Sequence, residues 1–244
     1  MDWNLVLESE PHLGCVNMAI DQALLDQAGR TGRAFLRLYR WDPFCLSFGR
    51  NEPALTRYDR TAIERRGLDV VRRPTGGRAV WHAHELTYAV AAPGTTFGSL
   101  GETYRAIHER LAAALRSLGV PASVAPASRP LDLGAGACFA ASVGGEIVGG
   151  GRKLVGSAQV REGGAFLQHG SILLDGSQET VREVTRGTGA PAGEVTLRTL
   201  AGRALSFTEV AGAVVAAWTP APTPAAAPAA DPARFADARW TWRR

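Results

Sequence analysis

Apolar residues recur at helical spacing in a few stretches and alternate with polar ones in most of the rest. The clearest helix is "ETYRAIHERLAAALRSLG", where Tyr104, Ile107, Leu111, Leu115 and Leu118 share one face and Gly119 closes the run. "NMAIDQALLDQA", from Asn17 to Ala28, places Met18, Ala19, Leu24 and Leu25 near one face, with acids early in it. "AFLRLYRW" and "FCLSFG" alternate as strands do, with Pro43 as the break between them. "YDRTAIERRG" reads as a short helix ending at Gly67, and "LDVVRR" as a strand running into the turn "PTGG". "AVWHAHELTYAVAAP" has the pattern of two strand segments around a polar bend, ended by Pro93. From Cys138 to Leu174 the pattern is again β with glycine turns, and helical segments are predicted around Gln178–Arg186 and Thr208–Trp218.

Helices and strands are mixed without a regular βαβ rhythm. The predicted class is α+β: a large mixed or antiparallel β-sheet flanked by helices, without an internal repeat. One catalytic-size domain is expected over residues 1–218. "TPAPTPAAAPAADPA" is rich in proline and alanine, so residues 219–244 are predicted to be a tether followed by the short tail "RFADARWTWRR".

Composition sharpens this picture in one place. The 244 residues carry 27 basic side chains, and all but Lys153 are arginine. A coding bias accounts for the total and leaves the exception to be explained. An ammonium is a compact point charge on a flexible stem, whereas guanidinium is a broad planar fork. A site that must grip one carbonyl or carboxyl oxygen beside a reacting carbon would refuse arginine; the alternative is an ordinary exposed lysine that escaped substitution by chance.

The net charge of +4 and pI near 9.3 suit acidic macromolecular partners. The arginines are scattered and no aromatic–basic tract offers a stacking platform, so nucleic-acid binding is not indicated. The N-terminus lacks the basic and apolar regions of a signal peptide, and no run of about eighteen apolar residues occurs. The expectation is a cytoplasmic protein with no membrane partner. Cys15, Cys45 and Cys138 form no CxxC pair and no zinc-ligand spacing, which predicts free thiols and no metal site.

Four stretches could carry chemistry. "VVRRPTGGRAVWH" puts two arginines at a strand end before a Thr-Gly-Gly turn, and paired glycines let backbone approach a ligand closely. A tight hairpin whose glycines only meet turn geometry would look the same. The turn is not a Walker loop, and His82 and His84 read as polar residues at a bend more readily than as a metal pair. "GGGRKLVGS" holds Lys153. "GAGACFAASVGG" holds Cys138 among small neighbours, which fits an inert buried thiol or a nucleophile lowered in pKa by a nearby ammonium. "GSAQVREGGAFLQHGSILL" combines small residues with His169-Gly170-Ser171, as in a wall from which side chains must keep clear, or in a closely packed sheet. No Gly-x-Ser-x-Gly elbow is present.

Taken together, "NMAIDQALL", "LRLYRWDPFCLSFGR", "VVRRPTGGRAVWHAHELTYAV", "GRKLVGSAQVR" and "LQHGSILL" resemble the lipoate-protein ligase and octanoyltransferase family, related to biotin protein ligases, over residues 14 to 175. The resemblance implies a biotin/lipoate protein ligase-like catalytic domain with an acyl pocket bordered by the RR-x-TGG loop. It places the family's lysine on Lys153 and, in "CF…GRK…GSAQ", the nucleophile of the Gram-positive type of octanoyltransferase on Cys138. Arg73, Thr75, Gly76, Gly77, His82, Gly156, Ser157, Ala158, His169 and Gly170 are then expected around the substrate. The segment after the cysteine, "FAASVGGEIVGGG", is less aromatic than in comparable members and leaves the acyl specificity open.

The implied reaction moves octanoate from acyl carrier protein, through a Cys138 thioester, to a lysine of a lipoyl domain. The acceptor would belong to a 2-oxoacid dehydrogenase or to the glycine cleavage H protein, and no cofactor is needed. Alternatives are an ATP-dependent lipoate ligase working through an acyl-adenylate, an amidotransferase between lipoyl domains, and a non-catalytic module that binds acylated carriers.

Overall fold

Strand alternation sorts the chain into layers. The computed structural model describes residues 1–126, 145–187 and 193–243. Its elements begin with β1 (Trp3–Leu7), α1 (Gly14–Thr31), β2 (Ala34–Tyr39), β3 (Cys45–Phe48), α2 (Ala54–Arg57), α3 (Arg60–Arg65) and β4 (Asp69–Arg72). There follow β5 (Val80–His82), β6 (Glu85–Pro93), α4 (Leu100–Ser117), β7 (Ala122–Val124), β8 (Ile147–Gly149) and β9 (Arg152–Lys153). The rest comprises β10 (Val155–Glu162), β11 (Ala165–Leu173), α5 (Glu179–Val184), α6 (Leu197–Ala201), α7 (Phe207–Ala216), β12 (Thr223–Pro224), α8 (Ala233–Ala236) and α9 (Ala238–Thr241).

The main sheet runs β10-β11-β6-β2-β1-β12. Its first four strands are antiparallel neighbours, while β1 pairs parallel with both β2 and β12. It is the mixed sheet that the irregular order of elements predicts. Two three-stranded sheets, β4-β3-β5 and β7-β8-β9, stand beside it. β1 escaped the sequence reading: "WNLVL" shows no clean alternation, and pairing on both sides makes it a strand.

Both faces of the sheet are covered. Leu36, Leu38, Val90, Phe166 and Ile172 face α4 and α7, whose Ile107, Leu111, Leu115, Val210 and Val214 complete one core. A capping box at Ser99 and Glu102 starts α4. On the other face Phe35, Tyr39, Ala89, Ala91 and Leu167 lie against Met18, Ala19, Leu24 and Leu25 of α1. The apolar face read in Asn17–Ala28 is thus the face α1 buries. Among the described residues no helix is long and apolar enough to cross a membrane.

The tether expectation fails for the described part of 219–244. β12 adds an edge strand to β1, where a proline is tolerated because its missing N–H faces away from the ladder. Ala227 and Ala230 pack against the α1 core, and Phe235 is buried in it. Trp242 joins a third cluster with Phe48, Tyr58 and Ile63. Alanine and proline dominate the composition, but the aromatic side chains of Phe235, Trp240 and Trp242 supply the apolar area that docks the segment.

Leu111 is fully buried between α4 and the sheet. Leu111→Ala is expected to cost about 3 kcal/mol, read as a lower urea midpoint with an unchanged m-value.

Candidate active site

A small, partly open cavity lies between α1, the main sheet and the β4-β3-β5 sheet. Met18, Trp41 and Val80 give it apolar walls, as a site for an alkyl chain requires. Arg73, His82 and His169 line it, and so do Gly156, Ser157, Ala158 and Gly170. Thr75, Gly76 and Gly77 stand outside its lining: Thr75 is one hydrogen bond behind the wall, and Gly77 is exposed at φ 90°. Gly170 is glycine for a steric reason. It pairs with Ser157 on one side and Tyr88 on the other, and a Cβ there would meet Ser157 Oγ at 2.5 Å and the Tyr88 ring at 2.8 Å.

The polar part of the site grows from strand positions that alternation turns toward α1. Arg37 and Tyr39 on β2, Thr87 on β6, and His169 and Ser171 on β11 share that face through the registers Arg37↔Ala89↔His169 and Tyr39↔Thr87↔Ser171. Arg37 is fully buried and donates to Glu8 (2.6 Å), to Asp21 (2.8 Å) and to the side-chain oxygen of Asn17 (2.7 Å). The Asp21 carboxyl also accepts from Tyr39 (2.9 Å) and from His169 Nδ1 (2.7 Å). Burial pushes the Asp21 pKa up, but the His169 bond and the Arg37 charge outweigh it and leave the carboxyl below its ordinary value. Burial depresses His169 in turn, so its ring is neutral with the proton on Nδ1. Nε2 then holds a lone pair, and the Thr75 hydroxyl donates to it at 2.6 Å. A chain of hydrogen bonds, charge-assisted where it passes through Arg37 and Asp21, therefore runs from α1 to the Thr-Gly-Gly turn.

His82 repeats the device. Its Nδ1 donates to Glu85 (2.7 Å), Ser47 Oγ donates to Nε2 (2.7 Å), and the ring stacks on Trp41 at 4.1 Å between centroids. Glu85 also accepts from the Thr87 and Ser171 hydroxyls. Arg73 directs its guanidinium to Ser47 and to the carbonyls of Gly76 (2.8 Å) and Arg78 (2.7 Å). It fastens the turn to the site rather than projecting into the cavity as a bare cation.

Lys153 is buried in an ion pair with Glu146 at 2.5 Å. It is not one of the cavity's lining residues and borders His108, a residue the sequence reading passed over. His108 Nδ1 donates to the Gly145 carbonyl (2.5 Å), and Nε2 accepts from Ser157 Oγ (2.8 Å). Ser157 accepts from Tyr88 (2.7 Å), and Tyr88 from Gln168 (3.0 Å). Burial, reinforced by the Lys153 charge, pushes His108 down to about 4 against the pull of the Gly145 carbonyl. Cys138, the sequence's candidate nucleophile, lies outside the described residues. Cys45 is buried and its thiol is pushed well up by burial and by Asp69, which leaves it unreactive.

Asp21, Arg37 and Glu85 were also missed, though each left a trace. All three are charged residues at inward positions of otherwise apolar elements, where an unpaired charge could not remain. His84 is exposed and meets Phe44 edge-on at 5.0 Å. Among the described residues no group of three or more His, Cys, Asp or Glu could hold a metal ion.

A mixed sheet carries a partly open, largely apolar cavity with two carboxylate-anchored histidines at its wall, a site whose lining suits an alkyl chain. The sequence matches the lipoyl protein ligase A/B catalytic domain family over residues 14–219, and the chain belongs to that family. It is similar to an octanoyltransferase LipM of Kyrpidia tusciae, 43% identical over 82% of this chain and 77% of the relative. A second octanoyltransferase LipM, from Exiguobacterium sibiricum, is 38% identical over 86% of this chain and 83% of the relative. In fold the chain matches a bi-partite lipoate protein ligase of Thermoplasma acidophilum, with a TM-score of 0.78, 19% identity and coverage of 99% and 96%. It also matches a lipoate-protein ligase A bound with ATP, with a TM-score of 0.75, 23% identity and coverage of 89% and 84%.

Between pH 6.5 and about 4 the unfolded chain takes up a proton at His108 that the folded chain refuses. Stability therefore falls as pH falls through that window and levels off below it, by about 3 kcal/mol in all. Urea denaturation of His108→Gln should show a shallower loss of stability from pH 6.5 to 4.5 than the parent. Equal slopes would mean that His108 is not neutral in the fold.

Proposed function

We propose that the chain is an octanoyltransferase of lipoate biosynthesis that carries octanoate from acyl carrier protein to a lysine of a lipoyl domain. The observation that carries this reading is the similarity, over most of both chains, to octanoyltransferases at 38–43% identity. The apolar cavity beside the RR-x-TGG loop supports it.

In this reading the Cys138 thiolate attacks the carbonyl carbon of the octanoyl thioester. The carrier thiolate leaves, and the octanoyl group is held as a thioester on Cys138. The neutral ε-amine of the acceptor lysine then attacks, the amine loses a proton, the amide forms and the Cys138 thiolate is regenerated. Both steps are acyl exchanges without redox change, and the thioester itself supplies the driving force. Lys153 stabilises the negative charge that develops on the acyl oxygen. Glu146 holds the ammonium in place. His82, anchored by Glu85 and packed on Trp41, holds the head of the cavity in a fixed position. The net positive charge steers acidic partners by raising the encounter rate.

Incubation with octanoyl-acyl carrier protein, without ATP, should add one octanoyl group to the intact mass of the protein, and Cys138→Ala should abolish the adduct. Activity that requires free octanoate and ATP and survives Cys138→Ala would identify an ATP-dependent ligase instead. Lys153→Arg places a broad fork where a 2.5 Å ammonium–carboxylate contact is buried. It is expected to slow transfer on the order of a hundredfold while the protein stays folded by circular dichroism.

A further inference from the structure

Arg72 closes β4 and directly precedes Arg73 in the loop beside the cavity. Its side chain is fully buried, and a buried guanidinium must find acceptors for its five N–H groups. Three of the acceptors come from the end of the chain. Nε donates to the carbonyls of Trp240 (3.1 Å) and Thr241 (3.0 Å), and Nη2 donates to that of Arg243 (2.9 Å). Others come from the turn after β3, where Nη1 donates to the carbonyls of Gly49 (2.7 Å) and Glu52 (2.9 Å). The Trp240 indole N–H donates to the Arg72 carbonyl at 2.8 Å, and Arg243 Nη2 donates to the Arg50 carbonyl at 2.7 Å. The tail and the 49–52 turn are two halves of one cradle around one cation.

That turn also backs the loop of the site. The Arg50 amide donates to the Thr75 carbonyl (2.7 Å), and the Ala79 amide donates to the Glu52 carboxylate (3.2 Å). Gly49 approaches Gly77 so closely that a Cβ on Gly49 would lie 1.9 Å from the Gly77 carbonyl oxygen. A shift of the turn is therefore a shift of Thr75–Gly77. The Trp240 and Thr241 carbonyls belong to the last turn of α9, which leaves them open to a donor from outside the helix. They reach Arg72 only while α9 is docked, with Trp242 edge-on to Phe48 at 5.3 Å.

We propose that residues 232–243 are a positioning element of the acyl cavity. By supplying acceptors to Arg72 they fix the 49–52 turn, and through it the Thr75–Gly77 loop, so that affinity for the acyl donor depends on the docked tail. This rests on the proposed function only in taking the cavity as the acyl site.

The test uses the full chain with Trp240→Ala, and Val214→Ala in α7 as a control that loosens the opposite core. Hydrogen exchange of segments 49–53 and 73–79, without substrate, should rise about tenfold in Trp240→Ala, with α4 unchanged and Val214→Ala showing no such local rise. KM for octanoyl-pantetheine should rise with kcat largely kept. Exchange in those segments no faster than in Val214→Ala would overturn the positioning, and raised exchange with an unchanged KM would overturn the link to affinity. An inactive parent enzyme with the exchange pattern as expected would count against the proposed reaction and leave the positioning standing. If Trp240→Ala does not fold, Trp240→Phe, which keeps a ring and loses the indole donor, carries the same comparison.

Discussion

The guanidinium of Arg37 is the point on which the rest of the site depends. It sits with no exposure at the junction of β2 and α1, where an unsatisfied cation would be prohibitively costly. Asp21, Asn17 and Glu8 answer it, and the Tyr39 ring lies 3.8 Å below it. Because Asp21 and Asn17 are both on α1, satisfying Arg37 fixes the rotation and height of that helix against the sheet. Because the second Asp21 oxygen accepts from His169, the same satisfaction fixes a ring on β11 and, through Thr75, the turn at the cavity. One buried charge thereby sets the distances among three elements that are far apart in the sequence.

Much of the architecture was legible in the pattern of apolar positions, because both faces of the sheet are covered and the helices must bury one face each. The face of α4 that carries Ile107, Leu111 and Leu115 is the face the periodicity marks. The strand pairs around Pro43 and around the 83–84 bend are where alternation places them. Three things were not legible. β1 is a strand because of its neighbours, and neighbours are not visible in "WNLVL". The tail is docked by Phe235, Trp240 and Trp242, whose contribution composition dilutes among alanines and prolines. The roles of Asp21, Arg37 and Glu85 depend on which side of an element faces the cavity, and that is set by register.

The site residues divide in the same way. Glycines and small residues at 156, 158 and 170 could be read as a wall, since tight backbone approach leaves few residue types available. The arginine of the loop could be named but not its task, because Arg73 acts on carbonyls within its own turn. His108 gave no motif. It is one polar residue on the buried side of an amphipathic helix, and its meaning appears only when Ser157 and Gly145 arrive from 37 or more residues away.

Three histidines, His82, His108 and His169, are built to one plan: Nδ1 donates to a fixed acceptor, and Nε2 receives a hydroxyl. The acceptors differ. Two are carboxylates and one is a backbone carbonyl, so only His82 and His169 have a negative partner ready if the ring gains a proton. His108 has instead the Lys153 ammonium nearby, which opposes protonation. The arrangement denies positive charge to the imidazole beside the lysine. For acyl transfer this matters in a specific way. A charged His108 would repel the lysine ammonium, whereas a neutral one leaves the Lys153–Glu146 ion pair undisturbed. The lone lysine in an arginine-rich chain is thus matched by a histidine held neutral next to it. The two features are one electrostatic arrangement.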